Sequence, residues 1–305
     1  MSDGIDKQFL QEIYQRMTDQ EVIQVLKGDL PNLTTEAQGV IKEEIKRRNL
    51  DFDLSEVNEA PLETLEMPEK LAGCPVHEPG RRWLESSVLT LLNLFGEEST
   101  LTRKILTPES KHFPIRFDGS ERAAFETLRI VAHQMEVPAD RITLDFYDET
   151  LRRITEGNPG GLYWGRGEND RFEISTARKM LDEPEMMVAV LAHEIAHIKL
   201  LGENKLEEND EQMTDLATIF FCLGIFNANA AFQTFADAKY YGWSSLGYLT
   251  QMEWGYALSL FTYIRREVQP EWAAHLCKNV KADFLQGQRF ISDNEYLIFQ
   301  EDAEL

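Results

Sequence analysis

Residues 187–201, MVAVLAHEIAHIKLL, decide the reading of this chain. The stretch is apolar except at His193, Glu194, His197 and Lys199. Ahead of it Asp182 can cap a helix and Pro184 suits the first turn, while Gly202 suits the end. On that helix His193 and His197 lie one turn apart and share a face. Two imidazoles so spaced can hold one tetrahedral zinc ion, and Glu194 projects beside them, placed to take a proton from water. The competing reading is an amphipathic helix with merely buried histidines. It puts two imidazoles and a carboxylate into an apolar interior, which is costly without partners.

A zinc site needs a third protein ligand, and the next helix offers Glu211-Gln-Met-Thr-Asp215. A short connection around residues 202–205 makes the two helices antiparallel. The pairs His197/Glu211 and His193/Asp215 have equal residue-number sums, so each acid lies level with one histidine. This reads Glu211 as the third ligand and Asp215 as the acceptor that orients His193. Glu208, or Asp215 as a direct ligand, are the alternatives. Glu207, Glu208 and Asp210 also suit a solvated helix start. Asp215 does not, because it borders the apolar run LATIFF.

HEIAH followed by EQMTD resembles the signature of the gluzincin zinc metallopeptidases, and its short internal gap is similar to that of the CAAX-prenyl-protease-type branch. The resemblance covers about residues 140 to 225. It implies one zinc ion per chain, His193, His197 and Glu211 as ligands, Glu194 as general base and Asp215 behind His193. It also implies an upstream edge strand that pairs with an extended peptide substrate, here either 161–164 or 171–175. The prenyl-protease branch carries membrane helices that this chain lacks, and Thr214 stands where a small residue is often found. The expected activity is zinc-dependent peptide-bond hydrolysis by a metal-activated water. Three protein ligands leave a position for that water. The developing oxyanion needs another donor, for which Tyr240, Tyr241, Tyr248, Tyr256, Arg265 and His275 are all candidates. The alternative function is a catalytically weak zinc-binding scaffold or regulatory protein.

The composition agrees with a soluble body. The chain has 305 residues, with 31 Lys+Arg against 53 Asp+Glu and a net charge of −22. That balance argues against nucleic acid and against an anionic membrane as partners. Three cysteines, Cys74, Cys222 and Cys277, make no disulfide framework and point to a reducing, cytoplasmic setting. The start of the chain lacks the apolar stretch of a signal peptide. Cys74-Pro-Val-His77 is half a metal motif with no second half nearby.

Outward from the motif the pattern reads as α+β, predominantly α: a zincin-like domain with a small sheet and an active-site helix pair. Residues 1–50 read as a helical module, available to dock a protein partner, with helices around 9–17, 22–26 and from Thr34 or Thr35. Residues 51–80 read as a linker, 81–292 as the metallopeptidase domain and 293–305 as a solvated tail, with docking of Leu297, Ile298 and Phe299 on the body or in a cleft as the alternative. Within the domain we expect helices over 83–95 and 119–137, strands over 112–117 and 141–147, and a hairpin from 161–164 and 171–175. Beyond Ser175 the pattern is helical. Residues 216–226 read as one buried helix, and Thr250 with Glu253 as a capping box. The aromatic stretch 239–249 reads as a helix–helix turn, with a cleft wall or lid as the alternative.

Overall fold

The computed structural model describes residues 35–48, 73–148, 160–167, 169–231, 233–236, 241–244 and 247–300. The helices expected around 9–17 and 22–26, the linker up to residue 72 and the last five residues lie outside them. The chain divides into two compact units, Met1–Met67 and Pro68–Leu305. In the first, α1 (Thr35–Arg48) ends in the basic turn Lys46, Arg47, Arg48. Glu44 accepts from the guanidinium groups of Arg47 and Arg48 within that last turn.

The second unit is mostly helical with a small three-stranded sheet. Its helices begin with α2 (Glu78–Phe95) and α3 (Glu97–Thr102), followed by α4 (Glu121–Gln134). Strands β1 (Ile142–Tyr147), β2 (Gly161–Arg166) and β3 (Phe172–Ala177) come next. Then follow α5 (Pro184–His197), α6 (Glu211–Phe220) and α7 (Gly224–Ala230). A second hairpin, β4 (Gln233–Ala236) with β5 (Tyr241–Ser244), precedes α8 (Gln251–Arg265) and α9 (Lys278–Asp293). No helix among the described residues is long and apolar enough to cross a membrane.

The motif helix is the centre of the core. Residues 186–192 of α5, with Ile195, Ala196, Ile198 and Leu200, are all buried. Burying each large aliphatic side chain stabilises the fold by roughly 1.5–3 kcal/mol. Around α5 pack α4, α6, α7 and β2. The sheet order is β1-β3-β2, with β3 parallel to β1 and antiparallel to β2. Of the two segments read as a possible edge strand, 171–175 is therefore central and 161–164 is at the edge. Gly161 of β2 lies so close to α5 that a Cβ there would sit 2.6 Å from Val190 and 2.7 Å from Glu194 Oε1. Only glycine lets the edge strand run this near the motif.

Several expectations need correction. The strand expected over 112–117 does not form. Pro114 removes a ladder donor, and the amides of His112 and Phe113 close a turn on Glu109 O instead. Helix α2 starts at Glu78, inside the stretch read as linker, because Glu78, Arg81 and Glu85 pair along its first turns. The Asp182 cap is absent: α5 opens on Pro184 after Glu183, with no side-chain cap. Its last turn, Ile198–Gly202, widens to a π-turn, and the connection to α6 runs as far as Asp210. The apolar run 216–226 is two helices, broken where Cys222 adopts φ 60°. The β4–β5 hairpin replaces the expected helix–helix turn; its strands are four residues long, too short for alternation to announce them. The capping box at Thr250 and Glu253 forms as read.

The end of the chain is docked rather than solvated as far as residue 299. Glu85, buried on α2, accepts from Arg81 at 2.7 Å, from the Tyr256 hydroxyl at 2.7 Å and from the Phe299 amide at 3.1 Å. Arg81 also donates to Leu297 O at 3.2 Å. Removing one partner of a buried ion pair strands the other charge and costs about 3–5 kcal/mol. Glu85→Ala is therefore expected to lower the thermal midpoint strongly. The double replacement Arg81→Met with Glu85→Leu should recover most of the loss, as read by circular dichroism melts.

Candidate metal centre

The two helices that carry the motif place its polar residues on one spot. One ligand atom each from His193, His197 and Glu211 lies within 4.8 Å of the other two. Glu211 Oε2 is 3.1 Å from His193 Nε2 and 3.3 Å from His197 Nε2. The two imidazole rings stand edge to face, 4.9 Å between centroids. Two nitrogens and a carboxylate oxygen converging from two rigid helices make a donor set that a divalent ion fits. No other such group of three occurs among the described residues. Cys74, Cys222 and Cys277 form no disulfide.

The groups behind the donors are equally ordered. Asp215 has no exposed surface, and its Oδ1 accepts from His193 Nδ1 at 2.8 Å. Its Oδ2 accepts from the amides of Tyr248 at 2.6 Å and Leu249 at 3.0 Å. Gly247, at φ 93°, makes this approach possible, since a Cβ there would lie 2.8 Å from Asp215 Oδ2. Behind His197 stands Thr214, its Oγ1 3.4 Å from Nδ1. Thr214 gives its own proton to Asp210 O at 2.8 Å, so it faces the imidazole as an acceptor. Both arrangements favour Nδ1–H and leave Nε2 for the cation. The Tyr163 ring stacks flat on His197 at 5.7 Å.

Electrostatics follow from this crowding. Burial pulls the His193 imidazolium down, but hydrogen bonds to Asp215 and Glu211 outweigh it and lift its pKa to about 10. Burial opposes ionisation of Glu211 as well, yet hydrogen bonds from both histidines and Asn209 hold its carboxyl well below the usual range. In the metal-free protein a proton on His193 Nε2 thus bridges to Glu211, where a cation would otherwise stand. Burial pushes Glu194 up, offset in part by the two histidines.

The structure brings together His193, Glu194, His197, Glu211 and Asp215, as the spacing of the motif expects. Of the other acids, Asp210 caps α6 through Met213 N, and Glu207 and Glu208 lie exposed. Among the oxyanion candidates only Tyr248 is seen at the site, its ring stacked on His193 at 5.9 Å. Tyr240 lies outside the described residues, and of Tyr241 only the strand position is described. His275 is removed to another cavity of about 500 Å³, 3.5 Å from Glu109. Tyr256 is spent on Glu85, and Arg265 on Glu267 and two backbone carbonyls. Sequence reasoning missed Gly161, Tyr163 and the Tyr248 and Leu249 amides. Gly161 and Tyr163 were legible as same-face residues of one strand, two apart. Comparison with protein-family models, with curated proteins and with solved structures yields no match to this chain.

The bridging proton yields a signed prediction. His193 holds its extra proton below about 10 and loses it as pH rises through that value. Metal uptake at pH 8 should therefore release a proton, and affinity should rise with pH across the range below. Titration calorimetry with zinc in buffers of different ionisation enthalpy reads this directly. Equal heats in all buffers contradict it. Asp215→Ala should weaken metal binding about 10–100-fold.

Proposed function

We propose that this chain is a zincin-like, gluzincin-type metallopeptidase whose second unit hydrolyses peptide bonds. The observation that carries the reading is the convergence of His193, His197 and Glu211, with Glu194 beside them and an edge strand alongside. A zinc ion held by those three residues would supply the electrophile that polarises the scissile carbonyl and makes water acidic near neutral pH.

The chain's own groups do the rest. Glu194 is 4% exposed, and burial raises its pKa, which makes it a better proton acceptor than a solvated carboxylate. It takes the proton of the attacking water and passes it to the leaving amine. Asp215 and Thr214 hold the imidazoles in register. Strand β2, whose outer edge pairs with no strand among the described residues, offers backbone groups to an extended peptide. Gly161 sets that track against Glu194, so a bound peptide backbone and the base are neighbours. We assign stabilisation of negative charge on the carbonyl oxygen to the Tyr248 phenol, the candidate donor whose ring stacks on His193.

The test is Glu194→Gln, which keeps the ligand set and removes the base. The variant should bind one equivalent of zinc by elemental analysis yet cleave a mixed peptide library at least about 100-fold more slowly than wild type. If wild type and variant prove equally inert while both retain zinc, the scaffold reading replaces this one.

A further inference from the structure

A groove of about 820 Å³ opens on the metal centre. It is lined by Trp83 and Ser87 of α2, by the stretch from Leu206 to Met213 and by Tyr248. Glu211, one of the three converging donors, is itself part of the lining, so whatever fills the groove lies against the reacting bond. Its apolar surfaces are Trp83, Leu206, Met213 and the Tyr248 ring.

Its charge is one-sided. Glu207, Glu208, Asp210 and Glu211 line it, and among the described residues no Lys, Arg or His does. Two of these carboxylates already have work: Asp210 caps α6, and Glu211 faces the histidines. Glu207 and Glu208 have no ion-pair partner among the described residues. Lys205, two residues before Glu207, pairs with Glu203 at 3.6 Å. A metal ion would neutralise Glu211 but leave these two uncompensated. Aromatic side chains and unpaired carboxylates lining one groove make a surface that complements an alkyl-ammonium or guanidinium side chain.

We infer that this groove selects substrates, and that the peptides it accepts carry a lysine or arginine close to the scissile bond, with Glu207 and Glu208 as the specificity-determining residues. The inference rests on the hydrolase reading and adds the substrate class to it. Trp83 receives the aliphatic stem of the basic side chain, and the two carboxylates receive its charged head. An acidic peptide meets like charge in the same place and is rejected.

The experiment separates binding from turnover. Zinc-loaded Glu194→Gln full-length protein is titrated with fluorescent peptide pools of neutral background that carry one Arg, one Gln or one Glu at each position in turn. Arg pools should bind at least about tenfold more tightly than Glu pools at low salt, with the gap closing as salt is raised. The exposed pair Glu207→Gln with Glu208→Gln should erase the preference, and Glu207→Lys with Glu208→Lys should invert it. Equal binding of Arg and Glu pools, or a preference that survives the double replacement, overturns the inference. Wild-type protein is assayed on the same pools for cleavage. Charge-selective binding without cleavage by wild type upholds the groove assignment and removes the hydrolase reading. Cleavage without charge preference does the reverse.

Discussion

A carboxylate with no exposed surface must find partners or unfold what surrounds it. Asp215, on α6, finds three, and they come from two other parts of the chain: the His193 imidazole on α5, and the adjacent Tyr248 and Leu249 amides ahead of α8. That one side chain therefore fixes α6 against α5, the tautomer of His193 and the path of the segment bearing Tyr248. Charge-assisted hydrogen bonds of this kind are roughly twice as strong as neutral ones. Gly247 exists in its left-handed turn because anything larger would collide with this carboxylate.

The sheet answers to a second constraint of the same type. Edge strand β2 passes close against α5 beside Glu194, and it does so at Gly161. Two residues on, Tyr163 lays its ring on His197, and Gly202 leaves room for Tyr163 and Phe172 at the turn beyond the helix. Packing thus holds one histidine by stacking and the other by charge. Arg81 and Glu85 lie on the same helix as the groove residues Trp83 and Ser87; Tyr256 meets Glu85 from α8, and the Phe299 amide joins them, so the segment around residues 297–299 is tied to α2.

The centre was largely legible because it is local. His193, Glu194 and His197 are set by the geometry of one helix, and Glu211 and Asp215 by their one-turn spacing on the next. Those relations need only sequence spacing. What the sequence concealed depends on long-range encounters or on very short elements. The four-residue strands β4 and β5 carry too few alternations to stand out. The break at Cys222 interrupts a run whose composition is uniformly apolar. The edge position of β2 rather than β3 follows from strand order, which pairing decides and composition does not. Glu85 drew no notice because its partners lie at Tyr256 and Phe299, far along the chain.

The account turns on whether the three donors hold one ion. Zinc-edge anomalous diffraction from crystals of the full-length protein, purified without chelator and supplied with zinc, tests this most directly. The prediction is a single strong peak bonded to His193 Nε2, His197 Nε2 and a Glu211 oxygen at about 2.0–2.2 Å, with a fourth position left to solvent. A fully zinc-supplied crystal with no peak between α5 and α6, or a peak whose ligands exclude both histidines, would contradict it.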